Sequence, residues 1–183
     1  DQTIKLKNFY ARKHYPEKKY FITRGAQLIG LGILLTLFTG LFFPQQLIWF
    51  GVLHLMGVGL IVGTRFLTRP HISLLMGSII TIVGIVFSFP EWQARLPFIL
   101  PIFPLSFPTF DYFPLLPWLG IFLLGMSIGH FVFPKGKPRY SFSLHQQLPF
   151  IPALTWAGRH SLKIYFVHQP LLVGLLFLVK ILV

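Results

Sequence analysis

Five apolar segments of membrane-spanning length constrain this chain more than any other feature of its sequence. They cover residues 25–43, 47–67, 72–89, 113–133 and 161–183. A helix of about 20 apolar residues is long enough to cross the ~30 Å hydrocarbon core of a bilayer. The chain is 54% hydrophobic and only 11% charged, against ~25% charged residues in an ordinary soluble domain. We therefore expect an all-α integral membrane protein, a multi-pass bundle of about five transmembrane helices.

The basic residues predict how this bundle is oriented. If the N-terminus is cytoplasmic, every Lys and Arg except Arg95 and Lys180 lies on the cytoplasmic side. The positive-inside rule then favours a protein of the cytoplasmic, or inner, membrane with its N-terminus inside and its C-terminus outside. The net charge of +12 is in this interpretation a topology signal with anionic lipid headgroups as its partner, and not a nucleic-acid surface.

The domain organisation follows from the same pattern. Residues 1–24 are predicted to form a basic cytoplasmic juxtamembrane segment, and residues 25–183 a transmembrane helical bundle. Because the chain starts at Asp1 and not at methionine, we expect further N-terminal helices of a larger membrane domain to precede it. Residues 90–108 contain five prolines, so a loop or a re-entrant hairpin is expected there in place of a regular helix.

Two histidines inside apolar segments are the strongest candidates for chemistry. His54 and His168 would lie at hydrocarbon depth, where polar groups are costly and are usually paired or functional. Counted along their predicted spans, their imidazoles differ by only ~6 Å in depth and can line one cavity. The alternative is that each ring bonds a carbonyl or hydroxyl on a neighbouring helix. Gln169 and Pro170 follow His168, and a proline there should kink the last helix and expose a carbonyl beside the imidazole.

Asp111 is one of only four acidic residues, and it also has two compatible interpretations. It stands just before the fourth predicted span, whose first turn contains proline, so it is expected to cap that helix. A carboxylate at the outer mouth of the bundle can instead orient an imidazole or a polar acceptor.

A group of residues at the cytoplasmic side has the chemistry to bind phosphate. Guanidinium and ammonium groups form charge-assisted contacts with the phosphates of a nucleotide-linked donor. The positive-inside rule alone also predicts basic residues at these positions, and a helix-end arginine can simply snorkel to the interface. The candidates are Arg159, His160, Lys163 and Arg24. Gln169, at hydrocarbon depth beside His168, is a further candidate for substrate binding.

Two further sequence features concern helix packing and metals. Gly59 with Gly63 and Gly125 with Gly129 have the spacing that permits close helix approach. No cysteine is present, and His54 and His168 are too distant in sequence to specify a metal, so none is expected.

Three motifs resemble one known family. FGVLHL at residues 50–55, DYFPLLPWLG at 111–120 and GRHSLKIYFVHQP at 158–170 occur in the order seen in the bacterial DUF1624 group, which is similar to the catalytic domain of heparan-alpha-glucosaminide N-acetyltransferase. The resemblance implies a multi-pass enzyme that takes an acyl group, expected to be acetyl, from cytoplasmic acyl-CoA. The acceptor on the far side is expected to be a sugar. It also implies that the family's first helices lie upstream of residue 1.

The resemblance also matches His168, His54 and Asp111 to motif positions, and we take them as the candidate catalytic residues. Acyl-CoA is then a co-substrate, and no bound cofactor is expected. A neutral histidine can serve as a general base or hold the acyl carbonyl. The alternative is a transporter or lipid-handling protein whose polar residues line a pathway through the membrane. Neither the acceptor nor the oligomeric state follows from the sequence.

Overall fold

The computed structural model describes residues 18–93, 102, 109–134 and 150–182, and these residues are almost entirely helical. The chain divides into two compact units, residues 1–139 and 140–183. The described residues of the first unit include four long helices: α1 (Lys18–Phe42), α2 (Val52–Gly63), α3 (Pro70–Phe87) and α4 (Leu115–Val132). The second contains α5 (Ile151–Arg159) and α6 (Ser161–Leu182). The all-α membrane fold expected from the sequence is confirmed.

Three helices of the described residues are long and apolar enough to cross a membrane: α1, α3 and α4. They coincide with the first, third and fourth predicted spans. The last predicted span is the helix α6, which has 22 residues. The predicted hairpin at residues 90–108 lies mostly outside the described residues, apart from its beginning, where Pro90–Gln93 forms one helical turn.

The second predicted span differs from the expectation because only part of it is helical. Residues 47–51 are not helical, and α2 has only 12 residues, a length of about 18 Å at 1.5 Å per residue. Gly51 precedes the helix with extended dihedral angles, φ −92° and ψ −176°. A short 3₁₀ turn at Pro44–Gln46 connects α1 to this extended segment. The backbone of residues 47–51 therefore needs hydrogen-bond partners outside a helix.

Those partners come from the segment that precedes α4. Phe50 forms a parallel bridge with Tyr112, and the amide of Phe113 donates a hydrogen bond of 2.9 Å to the carbonyl of Phe50. The hydroxyl of Thr109 donates to the carbonyl of Leu47 at 2.7 Å. The entrance to α2 is thus fixed by residues about sixty positions later in the chain.

Helices α1 and α2 pack antiparallel through glycines. A Cβ atom added to Gly25 would lie 2.7 Å from the carbonyl oxygen of Gly57, and one added to Gly57 would lie 2.6 Å from that of Gly25. Two turns later on α1, Gly32 faces His54, which lies about one turn before Gly57 on α2. Such short distances leave no room for any side chain, so the two backbones touch directly.

Helices α3 and α4 form a second antiparallel pair. A Cβ atom added to Gly77 would lie 3.0 Å from the carbonyl oxygen of Gly120, and one added to Gly84 would lie 2.5 Å from the Cα atom of Pro117. The fully buried hydroxyl of Ser73 donates a hydrogen bond of 3.0 Å to the carbonyl of Leu123. This pair is held by backbone contact and by a hydroxyl that bonds across the interface.

The two predicted glycine pairs behave differently. Gly59 lies against the ring of Phe122 and Gly63 against the sulfur of Met126, so α2 and α4 pack closely there, as predicted. Within the described residues, a Cβ atom on Gly125 or Gly129 would meet no atom within 4 Å, so close helix approach at this second pair stays a prediction. The glycines that do the packing on α3 and α4 are instead those at positions 77, 84 and 120.

Charge divides the first unit into two ends. One end is formed by the start of α1 and by the connection between α2 and α3. It carries all of the Lys and Arg among the unit's described residues: Lys18, Lys19, Arg24, Arg65 and Arg69. The opposite end carries both of its described acids, Glu91 and Asp111. We call these the basic end and the acidic end.

Candidate functional site

The imidazole of His54 is the most unusual polar group among the described residues. His54 lies in the first turn of α2, at the acidic end, and is only 8% exposed. Its Nδ1 atom is buried and has no hydrogen-bond partner. Leaving a buried polar group unsatisfied costs about 1–3 kcal/mol. A purely structural histidine on an apolar helix would not be expected to carry this cost.

Neighbouring side chains and backbone fix the position of this ring. It stacks on the ring of Phe50, with centroids 5.3 Å apart and an interplanar angle of 29°. On its other side lies Gly32 of α1, whose added Cβ atom would be 2.8 Å from Nδ1. The imidazole therefore occupies a slot that exists only because residue 32 has no side chain.

Asp111 joins this site through the backbone of α2. The amide of Val52 donates a hydrogen bond of 2.9 Å to Oδ2 of Asp111, so the carboxylate caps α2. The expectation that Asp111 caps its own helix was wrong, because the residue before α4 is Pro114. The carboxylate and the imidazole of His54 are close enough to interact electrostatically, which agrees with the alternative interpretation of Asp111 as a group that acts on a histidine.

His54 lies closer to its helix end than the sequence suggested. The depth estimate assumed a helix that starts near residue 47, whereas α2 starts at Val52. The imidazole is therefore one turn from the end of its helix. Whether it shares a cavity with His168 stays a prediction, since the two residues belong to different units.

Tyr112 lies beside Asp111 in the same segment, and sequence reasoning did not single it out. It is half-buried, and burial raises the pKa of its phenol to about 12 because the apolar surroundings disfavour the phenolate. Tyr112 therefore stays a neutral hydroxyl at any physiological pH.

His168 lies on α6 and turns its ring back onto its own helix. Its Nδ1 atom is 2.7 Å from the carbonyl oxygen of Tyr165 and 3.2 Å from that of Ile164. A carbonyl only accepts hydrogen bonds, so Nδ1 carries the proton in this geometry, and Nε2 of the neutral ring is left as the acceptor. The alternative interpretation expected a carbonyl or hydroxyl partner on a neighbouring helix. The carbonyl partners observed belong to α6 itself.

The predicted phosphate-binding residues lie in both units. Arg159, His160 and Lys163 lie at or near the junction of α5 and α6, and the ring of His160 stacks on Trp156 at 4.8 Å. Arg24 lies on α1, is exposed and donates a hydrogen bond of 3.2 Å to the side chain of Gln27. The side chain of Gln169 lies outside the described residues.

Sequence comparison now identifies the family. The profile described as heparan-alpha-glucosaminide N-acetyltransferase, catalytic, matches residues 6–170 of this chain. The chain belongs to this family. The matched range contains His54, Asp111 and His168 together with helices α1 to α5. Comparison with curated proteins and with solved structures gave no match.

Family membership and the apolar helices together define the general class of the protein. It is an integral membrane protein, and its family supports a function of the membrane acetyltransferase type. Among the described residues, no three His or acidic residues cluster as metal ligands would.

Besides Tyr112, sequence reasoning missed two glycines of the site, Gly32 and Gly51, although the sequence carries a signal for one of them. Gly25, Gly32 and Thr39 are the buried residues of α1, and their spacing of seven places them on one helix face. Gly32 could have been found by this spacing. Gly51 could not, because its closeness to Asp111 depends on a contact between segments distant in sequence.

Proposed function

We propose that this chain belongs to a membrane acyltransferase that moves an acyl group, acetyl in the simplest case, from cytoplasmic acyl-CoA to an acceptor on the far side. The acceptor class we propose is a sugar. The observation that carries the proposal is the buried, unpartnered Nδ1 of His54 beside the carboxylate of Asp111 at the acidic end. Family membership supplies the reaction type.

His54 has the chemistry for the proton transfer that the reaction requires. The acceptor hydroxyl or amine gives its proton to the neutral imidazole as its oxygen or nitrogen bonds to the acyl carbonyl carbon. The bond between that carbon and the CoA sulfur then breaks, and the sulfur leaves with the proton that the imidazole held. The reaction is balanced without a further reactant.

Asp111 acts in this scheme as a positioning residue. Its hydrogen bond to the amide of Val52 fixes the first turn of α2, which carries His54. A negative charge near an imidazole also stabilises the imidazolium that forms during proton transfer. Both effects act on the histidine and not directly on a substrate.

The donor is proposed to bind at cytoplasmic basic residues. Arg159, His160 and Lys163 lie at or near the junction of α5 and α6, and Arg and Lys there have the chemistry to contact the phosphates of CoA. Gln169 and Arg24 are further candidates for donor contacts. His168 lies on α6, two turns beyond this junction. With Nδ1 protonated against the carbonyl of Tyr165, its Nε2 atom has the chemistry of an acceptor, and His168 is proposed to line the donor path.

The orientation is part of the same proposal. The separation of the described basic and acidic residues to opposite ends of the first unit favours placing the basic end in the cytoplasm. His54 and Asp111 would then lie toward the acceptor side.

Transfer of labelled acetyl from acetyl-CoA to a sugar acceptor by the full-length protein in membranes tests this function. We expect His54→Ala and His168→Ala to abolish transfer while membrane insertion stays at the wild-type level. His130→Ala is the matched control, since His130 is an exposed histidine at the basic end of α4. Retained transfer in His54→Ala rejects the catalytic assignment. Sugar uptake by the wild-type protein without release of CoA would instead identify a transporter.

A further inference from the structure

A groove of about 490 Å³ opens between α1, α2 and α4, away from the His54 site. Its lining is almost entirely apolar, with Thr64 as the one polar side chain. The hydroxyl of Thr64 is already bonded to the carbonyl of Ile61 at 2.7 Å. The groove therefore presents hydrocarbon and no free polar group, which is the surface that a lipid chain contacts best.

Gly125 gives this groove its depth. It lines the groove, and a Cβ atom added to it would meet nothing within 4 Å. Glycine in a helix interior is less favourable than alanine. At Gly77, Gly84 and Gly120 this cost is offset by close contact between α3 and α4, but no protein atom of the described residues uses the space at Gly125.

The charges around the groove indicate what occupies it. Phe21 and Leu67 line the groove near the basic end of the first unit. Lys18 lies one turn before Phe21 and Arg65 directly follows Thr64, and both are exposed. Both described acids of the unit lie at the opposite end. An apolar groove beside exposed cations is complementary to an amphiphile with a negative headgroup.

We propose that this groove binds one acyl chain of an anionic phospholipid, with the headgroup phosphate at Lys18 and Arg65. Lipid tails are as apolar as the groove, so selectivity comes from van der Waals fit and from the headgroup charge. Neither His54 nor Asp111 lines the groove, and the proposal does not depend on the enzymatic function.

The experiment measures lipid bound to the full-length protein. Protein is reconstituted into vesicles of phosphatidylcholine containing phosphatidylglycerol, extracted in mild detergent, and analysed by native mass spectrometry. Gly125→Phe fills the groove. Gly129→Phe is the matched control, because Gly129 is one turn away on α4, also has open space and does not line the groove.

We expect Gly125→Phe to lower bound phosphatidylglycerol about tenfold, equivalent to 1.4 kcal/mol, and Gly129→Phe to leave it unchanged. Arg65→Gln should weaken phosphatidylglycerol binding about fivefold, which is the effect of one basic residue near the headgroup. The amount of phosphatidylcholine bound should not change. If Gly125→Phe does not fold, Gly125→Leu replaces it, and the Arg65→Gln result stands independently.

Three outcomes would overturn the proposal. Equal phosphatidylglycerol on wild-type and Gly125→Phe protein would show that the groove is not the lipid site. Equal loss in Gly129→Phe would show that lipid binding is not specific to the groove. A change of oligomeric state in Gly125→Phe at constant bound lipid would show that a second copy of the chain covers the groove.

Discussion

The carboxylate of Asp111 holds the first turn of α2 from 59 positions away in sequence, through a hydrogen bond of 2.9 Å from the amide of Val52. Gly51 makes this contact possible, because a Cβ atom there would overlap the carboxylate. The pairing joins the acidic end of α2 to the segment before α4. It also brings a charge near His54, so one contact serves both the fold and the candidate site.

Removing this cap should lower stability by a predictable amount. Asp111→Ala leaves the amide of Val52 without its partner and should cost about 1 kcal/mol, the typical effect of losing a helix cap. Asp111→Asn retains an acceptor oxygen and should cost less. Chemical unfolding in detergent measures both values. Glu91→Ala removes the other described acid, which is exposed, and should have little effect; a similar loss in all three variants would contradict the capping role.

Gly84 should not tolerate a side chain. A Cβ atom there would lie 2.5 Å from the Cα atom of Pro117, so Gly84→Ala should force α3 and α4 apart and cost about 1–3 kcal/mol, as overpacking does. Gly30 on α1 has open space around it, and Gly30→Ala is the matched control. Thermal unfolding should show a lower melting temperature than wild type for Gly84→Ala and an equal or higher one for Gly30→Ala.

The hydroxyl of Ser73 should contribute a small amount to helix association. Its hydrogen bond to the carbonyl of Leu123 is fully buried, and bonds of this kind in membrane proteins average about 0.6 kcal/mol. Ser73→Ala should therefore lower unfolding free energy by about this amount. Ser78→Ala on the same helix is the control. An equal loss of unfolding free energy in the two variants would argue against a specific contribution of the Ser73 hydrogen bond.

Tyr112 should titrate at unusually high pH. Below pH 10 the phenol is protonated in both the folded and the unfolded protein, so it adds no pH dependence there. Above pH 10 the unfolded chain loses this proton while the folded protein keeps it up to about pH 12, so stability should fall as the pH rises through this range. The difference in ultraviolet absorbance between wild type and Tyr112→Phe measures the titration. A midpoint near 10 would contradict the burial of the phenol.

The sequence predicted most of the helices because their apolar length is a local property. Three predicted spans match α1, α3 and α4. The second did not match, because residues 47–51 are as apolar as a helix but are paired with residues 109–113. Composition does not reveal such pairing between distant segments.

The candidate site was predictable only in its residue types. The rarity of polar residues in apolar segments pointed to His54, His168 and Asp111. The geometry depended on tertiary contacts: Asp111 caps α2 and not α4, and His54 rests on Gly32. Glycine spacing was equally ambiguous, since Gly125 and Gly129 have the packing motif without a packing contact among the described residues.

Chemical rescue of His54→Ala tests the central claim most directly. Acyl transfer by the full-length protein should fall about a hundredfold or more when the general base is removed, and added imidazole should restore part of it because a small base can enter the space that the side chain leaves. His130→Ala should keep wild-type activity and should not respond to imidazole. Full transfer activity in His54→Ala, at wild-type protein levels in the membrane, would contradict the assignment of His54 as the residue that accepts the proton.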